Sequence, residues 1–168
     1  MEECVPMNAR IEPSLDAAPH TADPAVARPA PAPRSAYRRF IGLGTRWMDN
    51  DAYGHLNNVV YLSLFDSAVN AVLIAAGALD VAGGAVIGLV VETHCNYFAP
   101  LAFPQPVEAG LRVARVGDTS LRYEIGIFAA GAAETAARGH FVHVYVDPGS
   151  RRPVALPARL LALARELQ

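Results

Sequence analysis

Apolar side chains recur between residues 55 and 76 with the spacing of a helix. Leu56, Val60, Leu64, Ala68, Val72 and Ala76 fall four apart, with Tyr61, Phe65, Val69 and Leu73 beside them. Only Ser63, Asp66, Ser67 and Asn70 form a polar stripe, so the pattern predicts a helix that other structure wraps, ending at Gly77. Further along, the period changes to two. Val107, Ala109, Leu111 and Val113 alternate with Glu108, Gly110 and Arg112, and Leu121, Tyr123, Ile125 and Ile127 alternate with Arg122, Glu124 and Gly126. Strands are predicted over residues 86–98, 107–116, 121–128 and 136–146, with a first strand over 37–47 that closes at Asp49. Pro104, Pro106, Gly117-Asp118 and Gly131 mark the turns, and a short helix over 160–167 follows Pro157. One strand, one long apolar helix and four consecutive strands give an α+β class, a five-stranded antiparallel sheet wrapped around one long central helix. Such a sheet has edges and an outer face to cover, which predicts a homodimer or homotetramer.

Composition divides the chain. Seven of the thirteen prolines lie between Pro6 and Pro33, whereas every aromatic residue lies between Tyr37 and Tyr145. Residues 1–35 are therefore expected to be a disordered Pro/Ala-rich tail and residues 36–168 one folded domain. The 168 residues are 52% hydrophobic and 18% charged, with 14 Lys plus Arg against 16 Asp plus Glu and a net charge of −2. That balance offers no positive excess for a phosphate backbone, so nucleic acid is not an expected partner. The apolar runs are broken by Asp66, Ser67, Asn70 and Glu92 before they reach the length of a bilayer span, so neither is a membrane. Two distant cysteines, Cys4 and Cys95, support neither a disulfide framework nor a thiolate zinc site. With Glu2 and Glu3 at the start and no apolar leader, the cytoplasm is the expected compartment.

The chemistry available to the chain concentrates in the loop before the helix, where Asp49, Asn50, Asp51, Tyr53, His55, Asn57 and Asn58 stand within ten residues. Asp and Asn at a helix start cap its free amides and complement its dipole. Two acids, a glycine, a histidine and paired asparagines exceed what one cap needs.

The run Arg46-Trp47-Met48-Asp49-Asn50-Asp51-Ala52-Tyr53-Gly54-His55-Leu56-Asn57-Asn58-Val59-Val60-Tyr61-Leu62 resembles the signature of the 4-hydroxybenzoyl-CoA thioesterase family of hotdog-fold acyl-CoA thioesterases. The resemblance continues through Phe65-Asp66, Cys95 to Pro100, Gly117 to Ser120 and Arg152 to Pro157, covering roughly residues 37–160. It implies the hotdog fold and hydrolysis of an acyl-CoA, or an acyl carrier protein thioester, to a free acid and a thiol, with no cofactor and no metal. It places the catalytic carboxylate on Asp51, as nucleophile or general base, and the oxyanion donor on the backbone amide of Asn58. Gly54 would let the thioester approach closely. His55 orients substrate or braces the loop, and Asn57 and Asp49 hold loop geometry. Val59 and Tyr61 would contribute to the acyl pocket, and Thr119 and Ser120, with Arg122, Arg151 and Arg152, to phosphate binding. Strand alternation sets Glu92, His94 and Asn96 on one face, and His140 and His143 on opposite faces. Asp66 is read as structural. The alternative function is a non-catalytic hotdog module that senses acyl-CoA; a hydratase would need an Asp/His dyad arranged differently.

Overall fold

The computed structural model describes residues 28–168. Its elements in chain order are β1 (Arg39–Leu43), α1 (Asn58–Ala75), β2 (Ile87–Tyr97), β3 (Val107–Val116), β4 (Ser120–Ala129), β5 (Ala137–Val146) and α2 (Ala158–Glu166). The five strands form one antiparallel sheet in the order β1-β3-β4-β5-β2. The chain thus carries α1 across one face between the two edge strands.

The period-two pattern of β3 and β4 explains that packing. Val107, Ala109, Leu111, Val113, Leu121, Tyr123, Ile125 and Ile127 are all buried, and they meet Tyr61, Leu64, Phe65, Ala68, Val69, Val72 and Leu73 of α1 in one core. The Phe65 ring meets Phe141 of β5 edge to face at 5.8 Å. Gly77, at φ +60°, ends α1 in the left-handed conformation that glycine adopts without penalty. α2 buries Leu160, Leu163 and Ala164, and the Leu167 carbonyl just beyond it accepts from the Val113 amide at 2.8 Å.

The structure departs from the pattern-based reading in three places. β1 is five residues long because the chain after Leu43 turns away, and residues Trp47–Asp49 form a 3-10 turn instead of extending the strand. α1 starts at Asn58, with Asn57 as its N-cap, rather than at His55. The helix is also less completely wrapped than its composition suggests. Val59 and Ile74 on α1 and Leu89, Val90 and Val91 on β2 are exposed, because the sheet ends at β2 and leaves that side of the helix open. α1 is the helix of the described residues long and apolar enough to cross a membrane, and its apolar face is the core of this fold.

The boundary expected at residue 36 falls inside a packed segment. Ala32 is buried, its amide donates to Thr135 Oγ1 at 2.9 Å, and Arg34 pairs with Glu108 at 2.8 Å. The rest of the expected tail, residues 1–27, lies outside the described residues.

Candidate active site

The loop between β1 and α1 is held by bonds that employ most of its polar groups. The Asp49 carboxylate accepts from the Arg46 amide at 2.7 Å and from Arg46 Nε at 3.0 Å. Those hydrogen bonds hold its pKa below the ordinary carboxylate range, against the opposing effect of desolvation. The Asp49 carbonyl accepts from the Asn57 amide, and Asn50 Oδ1 from the Phe103 amide at 3.0 Å. Asn57 Oδ1 caps α1 by accepting from the Val59 amide at 3.1 Å. Asp49 and Asn57 therefore have the loop-holding parts expected of them.

Asp51 is arranged differently. Its Oδ1 accepts from the amides of Tyr53 at 2.8 Å and His55 at 3.3 Å, an Asx-type turn around Gly54, which sits at φ +80°. Its Oδ2 accepts no hydrogen bond among the described residues. The Asn58 amide, at the first position of α1, likewise has no partner among the described residues, as the first turn of a helix leaves its donors free.

The residues that carry these two groups share a groove of about 400 Å³, lined by Asp51, His55, Leu56, Asn58, Tyr61 and, from the end of β2, Tyr97 to Pro100. The β2 wall is pinned to the loop at two points. Tyr97 Oη donates to the Asn58 carbonyl at 3.1 Å, and the Leu56 amide donates to the Leu101 carbonyl at 2.7 Å. Tyr61 is buried and meets the Tyr97 ring edge to face at 5.1 Å. Desolvation pushes the Tyr97 phenol up to about 12, so it remains a donor at neutral pH.

Of the residues singled out from the sequence, Asp51, His55, Asn58 and Tyr61 line the groove and Gly54 shapes it. Val59 is not among the residues lining it and is exposed. Thr119, in the β3–β4 turn, and Ser120, the first residue of β4, lie at the opposite end of the sheet. β3 begins beside Leu43, next to the loop, and its ten residues run roughly 30 Å before that turn. Arg151 and Arg152 are exposed in the turn after β5, at that same far end, where the Asp147 amide donates to the Arg152 carbonyl. Tyr97, Phe98, Ala99 and Pro100 were missed as site residues although their stretch was part of the motif, because nothing local ties them to a loop forty residues earlier. His140 and His143 do fall on opposite faces: His140 bonds Glu92 on the outer face, and His143 is buried among Tyr123, Phe141 and Tyr145.

The family model of the thioesterase-like superfamily matches residues 45–163, a span that begins just before this loop and ends in α2. The chain belongs to the thioesterase-like superfamily. This thioesterase-family chain, a thioester hydrolase by membership, is similar to solved structures across its folded part. The PA5185 protein of Pseudomonas aeruginosa is 52% identical, with a TM-score of 0.81 over 83% of this chain and 97% of that one. PA2801, a second protein of Pseudomonas aeruginosa, which carries a provisional thioesterase name, is 27% identical, with a TM-score of 0.69 over 76% of this chain and 98% of that one. A 1,4-dihydroxy-2-naphthoyl-CoA thioesterase of Synechocystis shares the fold at 18% identity and a TM-score of 0.69, over 76% and 96% of the two chains. No curated protein matches.

Proposed function

We propose that this thioesterase hydrolyses acyl-CoA thioesters, with Asp51 as its catalytic carboxylate and the Asn58 amide as its oxyanion donor. The observation that carries the reading is the groove itself. Asp51 and Asn58, which carry a carboxylate oxygen and a helix-start amide without a partner among the described residues, line one cavity.

In the proposed reaction a water oxygen adds to the thioester carbonyl carbon. Asp51 Oδ2 takes the water proton, and the Asn58 N–H stabilises the oxygen that becomes negative. Collapse of the tetrahedral intermediate breaks the C–S bond, and the proton that Asp51 took from the water passes to the leaving thiolate, giving a free acid and CoA and restoring the carboxylate. Direct attack by Asp51, with an anhydride that water then opens, uses the same two groups and yields the same products. His55 and Tyr61 border the thioester, and Gly54 leaves room above it.

The open side of the helix at β2 supports a second copy of the chain as the partner. Antiparallel pairing of β2 with its own copy would bring the Ile87 end of one strand beside the Tyr97 end of the other. Thr119, whose carbonyl is bonded to the Tyr145 amide near that Ile87 end, would then approach the partner's groove. Thr119 and Ser120 could thereby serve substrate binding across the dimer, and Val59 could join an acyl pocket from its exposed position.

The test is thiol release, followed with a thiol-reactive dye, from a panel of short, medium, long and aromatic acyl-CoAs, with Asp51→Asn in parallel. Asparagine keeps Oδ1 as acceptor for Tyr53 and His55 but removes the base and nucleophile, so turnover should fall by ~10²–10⁴-fold in a folded protein. Full activity in the variant would remove Asp51 from the mechanism. Binding of acyl-CoA without release from any member would turn the assignment to a sensor.

A further inference from the structure

A second cavity, of about 430 Å³, lies on the outer face of the sheet, away from α1. Three successive rungs of cross-strand neighbours carry most of its lining residues. The first runs from Arg122 through Val142 to Glu92, the second through Arg112, Glu124, His140 and His94, and the third through Gly110, Gly126, Arg138 and Asn96. The two glycines make its wall possible. A Cβ at Gly110 would stand 2.8 Å from Tyr37 Cγ, and one at Gly126 would stand 2.5 Å from Tyr37 Oη, so the Tyr37 ring lies directly over the bare backbone and closes one side.

The charges of this cavity are unevenly matched. Arg112 is paired with Glu124. His140 Nδ1 must accept from Arg122 Nη2, at 3.0 Å, because a guanidinium only donates. Its proton therefore sits on Nε2, which donates to Glu92 Oε1 at 2.6 Å. The imidazole thus steadies the Arg122 guanidinium, and no carboxylate bonds it. Arg138 forms no ion pair or hydrogen bond among the described residues. Two guanidinium groups, each free of a bonded carboxylate, line one pocket together with the Asn96 amide and His94, which are themselves 2.8 Å apart.

We propose that this pocket binds a phosphate monoester of nucleotide size. A phosphate monoester carries about −1.5 to −2 charge at pH 7 and three acceptor oxygens, a match for two guanidinium forks. The volume exceeds what a lone phosphate fills and lies in the range of sites for small molecules. The Tyr37 ring and the stacked His94 and His140 imidazoles, 5.4 Å apart, supply aromatic surface for a base. The phosphate could be the nucleotide end of a CoA substrate or belong to a separate nucleotide. Asn96 directly precedes Tyr97, which lines the Asp51 groove, so the two cavities flank the same end of β2.

The experiment is calorimetric titration of the whole protein with adenosine 3′,5′-bisphosphate, with adenosine as the uncharged control. Arg138→Gln breaks no bond to the described residues and should fold, as a thermal melt will check. The parent should bind the bisphosphate at least ~10-fold more tightly than adenosine. Arg138→Gln and Arg122→Gln should each lose at least ~10-fold, and Arg165→Gln, on the exposed side of α2, should lose nothing. No binding to the parent, or equal affinity in parent and Arg138→Gln, overturns the proposal. If Arg122→Gln does not fold, Arg138→Gln decides alone. The source follows from kinetics. A KM that rises in Arg138→Gln for acyl-CoA but not for acyl-pantetheine identifies the substrate's own nucleotide, and bisphosphate binding lost with both KM values unchanged identifies a separate one. Calorimetry does not require hydrolysis, so failure of the Asp51 assignment would leave this result intact.

Discussion

Replacing Asn58 by proline isolates a single backbone N–H. The position accepts the ring: Asn58 is the first residue of α1, where proline is favoured, and Asn57 before it sits at φ −56°, ψ 140°, the extended geometry that a following proline requires. The amide bonds to nothing among the described residues, and neither does the side chain, so Asn58→Pro removes no intramolecular hydrogen bond. Stability should therefore change by less than about 1 kcal/mol, within the usual range for proline at a compatible site. Catalysis should not be spared. Loss of one oxyanion donor raises the barrier by about 3 kcal/mol, a fall in kcat of ~10²–10³-fold. Asn58→Ala keeps the amide and should stay within a few-fold of the parent. Steady-state thiol release and a circular dichroism melt read the two quantities. A folded Asn58→Pro with parental kcat would refute the oxyanion role, and an Asn58→Ala as inactive as the proline variant would move the role to the side chain.

Two further outcomes follow from the same contacts. Because Arg46 holds the Asp49 pKa below its unfolded value, the stability Asp49 contributes is complete above about pH 4 and is lost as pH falls through the lowered value. Asp49→Asn should cost about 2 kcal/mol at pH 7 and flatten the acid limb of the stability curve, while retaining far more activity than Asp51→Asn; denaturant melts from pH 2 to 7 and thiol release check both. Gly126→Ala should destabilise by about 1–3 kcal/mol, since its methyl group would meet Thr135 Cγ2 and Tyr37 Oη at 2.5 Å and both side chains would have to shift; urea unfolding checks it.

How far these features could be read from the sequence depended on how local their causes are. The buried stripe of α1 and the alternation of β3 and β4 are periodic, and period is set by backbone geometry, so Phe65, Tyr123 and Ile125 fall in the core as their spacing requires. The end of β1 was less legible. Trp47 and Met48 look like strand residues, but the Asp49 carboxylate bonds back to Arg46 and folds the chain into a turn. The groove wall at Tyr97 to Pro100 and the place of Ala32 to Tyr37 on the sheet depend on contacts between distant segments. Proline and alanine in the second case carry no periodic signal, and the record of the packing sits instead in Gly110 and Gly126, on other strands. Thr119 and Ser120 show the reverse: a motif joins them to the loop in sequence while the sheet holds them at its other end.

The proposed catalytic role of the loop, as against a capping role alone, rests on which groups the fold leaves unemployed. A loop that existed only to start α1 would need Asn57, which caps, and Asp49, which fixes the preceding turn against Arg46. Asp51 goes beyond that need. Its carboxylate uses one oxygen to shape the Gly54 turn and leaves the other without a partner among the described residues, and Asp51 lines the same groove as Asn58, whose amide α1 cannot satisfy from within itself. Such a pair gains little for stability, because an exposed carboxylate oxygen and a first-turn amide are both satisfied by water when the groove is empty. In the proposed reaction it would gain reactivity, as a thioester displaces that water and puts a carbonyl oxygen against the amide and its carbon within reach of the carboxylate. The loop therefore holds its two acids differently: Asp49 is bound to a cation and holds the backbone, and Asp51, which lines the groove, is held by amides alone with one oxygen left free among the described residues.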